Sequence, residues 1–192
     1  IPTIVTSAVS SIGSTTAVSG GESINTKGGT VSRKGICWST FTNPTLANPN
    51  YSIDTSSAGA FIGYLGGLNP STHYYVRAFV TTNVGTGYGQ NVEFNTIQVA
   101  TVTTSSVTSI TTTSASCGGN VVSSGGGTIT SRGVCWSTSY NPTTADSKTI
   151  DGSGTGSFTS SITGLTPSTQ YYVRAYATSA AGTGYGSNVS FT

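Results

Sequence analysis

The sequence predicts an all-β protein made of two tandem antiparallel β-sandwich domains. The first observation is that the chain repeats itself, so one structural unit occurs twice. The second is that short Thr-, Val- and Tyr-rich runs are separated by clusters of Gly, Pro, Asn and Ser, whereas no segment has the periodicity of a helix. The third is that 34% of the residues are hydrophobic, which is enough to bury a core although Gly, Ser and Thr are abundant.

The repeat defines the domain boundaries. Residues 28–45 read GGTVSRKGICWSTFTNPT and residues 126–143 read GGTITSRGVCWSTSYNPT. Residues 69–89 and 166–186 correspond in the same way, and between these matched segments the second copy is one residue shorter. A surface loop tolerates such a change. We therefore predict one domain over residues 1–96 and a second over residues 97–192.

The turn residues of the second domain delimit its strands. Six strands are predicted, with a short additional strand at residues 148–150. They cover residues 101–107, 111–117, 129–137, 156–162, 170–179 and 185–191. Sequential antiparallel strands in a domain of this length are typical of an immunoglobulin-like sandwich of two sheets.

Alternation along the Tyr-Tyr-Val-Arg-Ala strand of each domain separates a buried face from an outward face. Tyr171, Val173 and Ala175 are predicted to face the core. The outward residues form the candidate interaction surface: Tyr75, Arg77, Phe79, Tyr172, Arg174 and Tyr176. Aromatic and guanidinium groups are favoured at interfaces and can stack on sugar rings. Cross-strand packing within a solvated sheet is the competing explanation for the same residues.

Two motifs flank this strand. The pattern Leu-x-Pro-Ser-Thr-x-Tyr ends at Tyr74 in the first domain and at Tyr171 in the second. It predicts a corner in which the tyrosine hydroxyl bonds to the backbone upstream. The sequence Gly-Thr-Gly-Tyr-Gly after the strand predicts a hairpin into the last strand.

A family resemblance rests on these motifs. The run LTPSTQYYVRAYA from Leu165 resembles the fibronectin type III corner and alternating strand. With the GVCWST and NPT segments, the chain is similar to tandem fibronectin type III-like repeats of secreted and cell-surface proteins from Bacteroidetes-type bacteria. The resemblance implies two domains of fibronectin type III/immunoglobulin-like type, and such modules serve as spacers, adhesive arms or carbohydrate-associated linkers. In one departure, Trp38 and Trp136 lie on the third strand instead of the second, as in immunoglobulin domains.

Residues for catalysis and metal binding are sparse. The single His, His73, is replaced by Gln170 in the second domain, so a Ser-His-acid arrangement is not expected. The second domain has only the carboxylates Asp146 and Asp151, whereas glycoside hydrolysis normally needs two that face one bond. The DGSGTG run from Asp151 has one carboxylate where a calcium loop needs several, and we interpret it as a flexible turn. We predict no enzyme activity, no cofactor and no metal.

Composition limits the partners. Charged residues make up 6% of the chain and the formal net charge is +2 without a basic cluster, so no nucleic-acid partner is expected. No apolar run reaches membrane-spanning length, so no membrane insertion is expected. The chain begins with a strand-like stretch and without a signal peptide, so we expect a processed chain or a part of a longer one. A surface poor in charge favours self-association, and its hydroxyls are available for O-glycosylation.

The sequence leaves undecided whether two of the three cysteines form a disulfide. Cys37 and Cys135 occupy equivalent positions, whereas Cys117 corresponds to Ser19, so only the second domain could close a Cys117–Cys135 bridge. Strand alternation turns Cys135 outward and Cys117 inward, which argues against the bridge. A bulge at the Gly-Gly pair after Cys117 would reverse that orientation and favour it.

The junction between the domains suggests what the second copy contributes. Residues 94–102, FNTIQVATV, contain no Gly or Pro, so we expect a semi-rigid rod. Our leading hypothesis is a noncatalytic extracellular structural or adhesive repeat module, a segment or subunit of a bacterial surface fibre, filament or adhesin. Its partners are further copies or neighbouring repeats of the same chain. The alternative is a carbohydrate-binding or spacer module attached to a secreted polysaccharide-degrading enzyme, with a polysaccharide or glycan as partner.

Overall fold

The computed structural model describes residues 1–56 and 59–192, which fold as two units. The units are Ile1–Ile97 and Gln98–Thr192, so the boundary lies one residue beyond the predicted position. The backbone of Ile97 donates to the carbonyl of Gly13 at 3.1 Å, and that of Gln98 donates to the carbonyl of Gly125 at 2.8 Å. Each residue is thereby tied to its own unit. Strands, bridges, bends and turns are the only secondary structure in the described residues, and the all-β prediction is confirmed.

In the first unit, residues 1–56 and 59–97 form eight strands in two antiparallel sheets. The strands are β1 (Thr3–Thr6), β2 (Ala17–Asn25), β3 (Val31–Ser39), β4 (Tyr51–Asp54), β5 (Phe61–Leu65), β6 (His73–Thr82), β7 (Gly85–Tyr88) and β8 (Val92–Asn95). One sheet has the order β1-β2-β5. The other has the order β4-β3-β6-β7, and β8 also pairs with β6.

The second unit repeats this topology. Its strands are β9 (Thr101–Thr104), β10 (Ser114–Ser123), β11 (Ser131–Ser137), β12 (Ser147–Lys148), β13 (Gly156–Thr163), β14 (Tyr171–Ser179), β15 (Gly182–Tyr185) and β16 (Val189–Phe191). The sheets have the orders β9-β10-β13 and β12-β11-β14-β15, with β16 paired to β14. Two such sheets facing each other form an antiparallel sandwich of fibronectin type III/immunoglobulin-like type, as predicted.

The predicted alternation is confirmed at the core. Strands β6 and β14 bury every second side chain completely: Val76, Ala78, Val80, Val173, Ala175 and Ala177. Leu65 on β5 and Ile162 on β13 fill the space from the opposite sheets. Burial of each large aliphatic side chain stabilises the fold by about 1.5–3 kcal/mol relative to exposure.

The tyrosine corner is present in both units. The Tyr74 hydroxyl accepts a hydrogen bond from the Asn69 backbone N–H, and the Tyr171 hydroxyl accepts one from that of Thr166, each at 3.1 Å. The Tyr74 ring stacks on Phe94 with the ring centroids 5.9 Å apart. The corner therefore joins the start of the central strand to the turn before it and to the last strand of its unit.

A threonine on the first strand of each unit, the buried Thr6 or the half-buried Thr104, binds to the opposite sheet. In the first unit the Thr6 hydroxyl donates to the Gln90 carbonyl at 2.7 Å and accepts from the Ala78 backbone N–H at 3.1 Å. In the second, the Thr104 hydroxyl accepts from the Ala175 N–H at 3.0 Å. We call this contact the threonine clamp. It links β1 to β6 and β9 to β14 across the sandwich.

Two predictions of where strands end and begin were wrong, and both concern segments that contain glycines. Strand β10 continues through Gly118 and Gly119 instead of ending before them. Glycine is needed at these two strand positions because neighbouring atoms approach too closely for a side chain. A Cβ at Gly118 would overlap the Phe158 carbonyl oxygen, and one at Gly119 would lie 2.5 Å from the Cβ of Ala175. The glycines therefore permit close packing and do not form a turn.

The Gly-Thr-Gly-Tyr segment is a strand, not the predicted hairpin turn. It forms β7 and β15, and the two-residue turns lie just before, at residues 83–84 and 180–181. The predicted strand 185–191 is accordingly split into β15 and β16, which pair along different parts of β14. A Cβ at Gly184 would overlap the Ala100 carbonyl oxygen, so these glycines again allow close backbone approach.

Candidate interaction surface

The outer face of each five-stranded sheet is partly covered by the segment that follows the third strand of its unit. We call residues 40–50 and 138–146 the cover segments. In the first unit the Cys37 thiol donates to the Pro44 carbonyl at 3.4 Å, and the Leu46 N–H donates to the Tyr88 hydroxyl at 3.1 Å. The second unit repeats both contacts, from Cys135 to the Pro142 carbonyl and from the Thr144 N–H to the Tyr185 hydroxyl, at the same distances.

Two of the six predicted surface residues are buried, which corrects the prediction. Phe79 is 0% exposed and Tyr176 is 2% exposed. Each lies opposite a glycine, Gly35 on β3 or Gly133 on β11. A Cβ at Gly35 would lie 2.9 Å from the Phe79 ring, so this glycine leaves room for it. The Tyr176 hydroxyl also donates to the Thr149 carbonyl at 2.6 Å. These rings point away from the main core and belong to neither core cluster, but they are buried on the outer face of the sheet.

The two arginines of the predicted surface are held by intramolecular contacts. The Arg77 guanidinium lies over the Tyr88 ring at 4.9 Å, and its Nε donates to the Gly89 carbonyl at 2.7 Å. Arg174 repeats this arrangement on the Tyr185 ring at 4.6 Å, with its Nε 2.9 Å from the Gly186 carbonyl oxygen. Both side chains are half-buried. Contacts of this kind are what the competing explanation, cross-strand packing, predicts for the arginines.

Tyr75 and Tyr172 are half-buried, and each has a different aromatic neighbour. Tyr172 meets Tyr140 edge to face, with ring centroids 5.4 Å apart, and Tyr140 is 67% exposed. Tyr75 meets His73 at 4.9 Å. Of these two pairs, Tyr140–Tyr172 contains the more exposed ring. Sequence reasoning missed Tyr140 because it lies in a cover segment, where the first unit has Thr42.

The Cys117–Cys135 disulfide is absent, and the three thiols are free. Pairing of β10 with β13 is regular through Gly118 and Gly119, so no bulge reverses the alternation. Cys117 on β10 therefore faces the core. Cys135 on β11 faces away from the core and lies under the cover segment. Burial raises the pKa of the Cys135 thiol to about 11, partly offset by the nearby Arg174 charge. The pKa of the Cys37 thiol is likewise raised to about 11, and that of Cys117 is raised by burial.

Two equivalent cationic side chains, the buried Lys34 and the half-buried Arg132, bind backbone carbonyls shortly before β5 and β13. Lys34 is almost fully buried; its Nζ lies 3.1 Å from Asp54 Oδ2 and donates to the Gly59 carbonyl at 3.0 Å. In the second unit the equivalent Arg132 donates to the Thr155 carbonyl at 2.7 Å and also to two flanking glycine carbonyls.

The DGSGTG run is therefore a braced loop and not the flexible turn that we expected. Besides the Arg132 contacts, the Asp151 carboxylate accepts hydrogen bonds from the hydroxyls of Thr149 and Ser160. In residues 1–56 and 59–192, no group of three or more His, Cys, Asp or Glu side chains is arranged to hold a metal ion. The same residues contain no helix long and apolar enough to cross a membrane.

An exposed apolar patch lies on the other sheet of the first unit. Ile62 and Tyr64 on β5 are 66% and 71% exposed, and Val18 lies across from Tyr64 on β2. Sequence reasoning missed this patch. The available signal was the comparison of the two copies, because Thr159 and Ser161 occupy the positions of Ile62 and Tyr64 in the second unit.

No protein-family model matches the chain, and no curated protein matches it. Among solved structures, the chain is similar to the FN1-FN3 domains of chicken CNTN1, known from a crystal structure. The sequence identity is 14%, the TM-score is 0.47, and the match covers 99% of this chain and 67% of that chain. The strand order and the tyrosine corner, and not this likeness, establish the fold as tandem fibronectin type III-like sandwiches.

Proposed function

We propose that the chain is a noncatalytic structural or adhesive repeat module of an extracellular, cell-surface protein, such as a segment or subunit of a bacterial surface fibre, filament or adhesin. Folds of this type are mostly noncatalytic modules, and a fold alone does not define an activity. The observation that carries the proposal is the threonine clamp, which occurs in both units.

The clamp is suited to a chain that bears tension. In the first unit β1 belongs to the three-stranded sheet and β8 to the five-stranded sheet, so a pull on the two chain ends acts to separate the sheets. The Thr6 hydroxyl bonds to backbone groups of the opposite sheet in the buried interior. An unpaired buried donor costs about 1–3 kcal/mol, so the clamp opposes this separation.

The contacts of the charged residues also support a structural role. Lys34 and Arg132 brace loops, and Arg77 and Arg174 stack on tyrosines beside the last hairpin. These cations are thus engaged in contacts that stabilise the sandwich. The weakly charged surface leaves neighbouring modules little electrostatic repulsion to overcome.

Single-molecule force spectroscopy tests the mechanical part of the proposal. The chain, flanked by reference domains of known unfolding force, should give two unfolding events per molecule. The Thr6→Val, Thr104→Val double variant keeps the side-chain size, removes both hydroxyls and should unfold at lower force. Thr101→Val, at an exposed position, is the control and should leave the force unchanged. Extension of the unaltered chain without a resolved unfolding event would contradict a tension-bearing role.

Antibody labelling of intact source cells tests the location. We expect label at the cell surface or on extracellular material without permeabilisation. Label that requires cell lysis would contradict an extracellular module, whatever the force measurements give.

Glycan binding is the second candidate function, and the Tyr140–Tyr172 pair favours it. An exposed aromatic ring beside a half-buried one can stack on a sugar face. Affinity electrophoresis in gels that contain soluble polysaccharides should show retardation that Tyr172→Ala abolishes. Tyr75→Ala, the matched change in the first unit, should have no effect. If no polysaccharide retards the unaltered chain, this second function is eliminated.

A further inference from the structure

We infer that strand β5 of the first unit pairs edge to edge with β5 of a second copy of this chain, an inference that deepens the proposed structural role and rests on it. Strand β5 is at the end of the β1-β2-β5 sheet and its ladder partner is β2. Among the described residues, no strand pairs with its outer edge. An edge of this kind presents backbone N–H and C=O groups that another strand can bind.

The side chains beside this edge are apolar and accessible. Ile62 and Tyr64 are about two-thirds exposed, and the half-buried Val18 lies opposite Tyr64. Val18, Tyr64 and Leu65 also line a groove of about 480 Å³ at the end of the strand. We call Val18, Ile62 and Tyr64 the β5 patch.

The fold itself does not require the β5 patch. The strand pairing is the same in the second unit, where Ser116, Thr159 and Ser161 occupy the three positions. Hydroxyl side chains are therefore compatible with this sheet. Apolar residues that are grouped and exposed without a role in the fold are characteristic of a binding surface.

The chemistry of β5 favours a second copy over other partners. Edge strands usually avoid pairing through charged residues, proline or bulges. The segment FIGYL has no charge and no proline, and its pairing with β2 is regular. Two identical uncharged strands can approach without electrostatic repulsion, whereas a charged partner would gain no ion pair from this strand.

The patch is also complementary to itself. If two copies of β5 pair antiparallel around a twofold axis at Gly63, Ile62 of each copy lies opposite Tyr64 of the other. Both pairs lie on the outer face, next to Val18 of each copy. Aromatic and β-branched side chains are favourable cross-strand neighbours. The result is one continuous six-stranded sheet in which the exposed patch of each copy is covered.

Analytical ultracentrifugation over a concentration series tests the association. The unaltered chain should form a dimer, and the Ile62→Thr, Tyr64→Ser variant should raise its dissociation constant at least about tenfold, since two apolar contacts per copy are lost. The second unit carries these residues in the same fold, so the variant should remain folded, which circular dichroism checks. Phe41→Ser, the matched control, replaces another exposed apolar residue by its second-unit counterpart Ser139 and should leave the dimer unchanged.

Oxidative cross-linking tests the register. Directly opposite residues of an antiparallel pair have Cα atoms about 4.5–5.5 Å apart, within the range of a disulfide. The Ile62→Cys, Tyr64→Cys double variant should therefore give a covalent dimer, whereas either single variant should give little. The native thiols are buried and should not compete.

Two outcomes would overturn the inference: a chain that stays monomeric up to millimolar concentration, or a dimer that is insensitive to the β5 changes and does not cross-link. Neither outcome bears on the force measurement, so a failure of strand pairing is distinguishable from a failure of the proposed structural role.

Discussion

The two units differ mainly where a side chain reaches solvent or fills a local gap, and they agree in the contacts that hold each sandwich together. Both have the tyrosine corner, the threonine clamp and the arginine stacked on a tyrosine. In contrast, the β5 patch of the first unit is replaced by hydroxyl residues in the second. The comparison separates contacts that the sandwich needs from positions that are open to a partner.

The largest expected effect comes from breaking the shared core. Leu65→Ala in the first unit and Ile162→Ala in the second each remove a fully buried side chain. Each should lower the free energy of unfolding of its own unit by about 2–5 kcal/mol, because a cavity adds to the lost burial. Hydrogen exchange resolved by peptide gives the loss in each unit. A loss below about 1 kcal/mol in either unit would mean that the two cores are not equivalent.

Alkaline pH should distinguish the units through their thiols. The folded pKa of Cys37 and of Cys135 is raised from 9.0 to about 11 because burial disfavours the thiolate. This contribution to stability is complete below pH 9, where the unfolded thiols are still protonated, and is lost as the pH rises to about 11. The second unit also contains Cys117, whose pKa is raised, so its stability should decline more steeply over this range.

Cys117→Ser provides the matched variant for the pH measurement, because the first unit has Ser19 at that position. Chemical denaturation between pH 8 and 11 should give a shallower decline for this variant than for the unaltered chain. Equal slopes would contradict the assignment of the difference to Cys117. Other groups that titrate in this range are common to both proteins and cancel in the comparison.

A smaller effect is expected from the aromatic rings that are buried on the outer face of each five-stranded sheet. Tyr176→Phe converts the second unit to the arrangement of the first, where Phe79 is buried without a hydroxyl. It removes the hydrogen bond to the Thr149 carbonyl and should cost about 0.5–1.5 kcal/mol of unfolding free energy, measured by chemical denaturation. Tyr140→Phe, at an exposed ring, is the control and should be neutral. An equal loss in both variants would contradict a specific role for the Tyr176 hydroxyl.

The smallest effect on stability should come from the β5 patch. Ile62→Thr with Tyr64→Ser should change the unfolding free energy of the single chain by less than about 0.5 kcal/mol, because both side chains are largely exposed. The unfolding free energy should be measured by chemical denaturation at a concentration at which the chain is monomeric. A large loss would show that these side chains stabilise the first unit itself.

Local patterns were sufficient to predict the fold, since alternation at Val173 and Ala175 and the corner at Tyr171 depend on nearby residues. They did not predict the burial of Phe79 and Tyr176, because the residues that cover these rings are distant in sequence. Gly118 and Gly119 were misassigned because a glycine required for close packing cannot be distinguished from a turn glycine by sequence alone. The β5 patch was detectable only by comparing Ile62 and Tyr64 with their hydroxyl counterparts.

The cover segments have a further consequence for how such repeats diversify. They are anchored through their own backbone atoms, the Pro44 carbonyl and the Leu46 N–H in the first unit, while the sheet supplies the side chains of Cys37 and Tyr88. Exposed side chains such as Phe41 can therefore be exchanged without loss of these backbone anchors, and the copies already differ there, with Phe41 against Ser139. Asn43 and Asn141 are exceptions, because their side-chain carbonyls accept hydrogen bonds from Asn91 and Asn188. This architecture is well suited to a library in which the sandwich and these asparagines stay constant and other exposed residues of the cover segment are randomised.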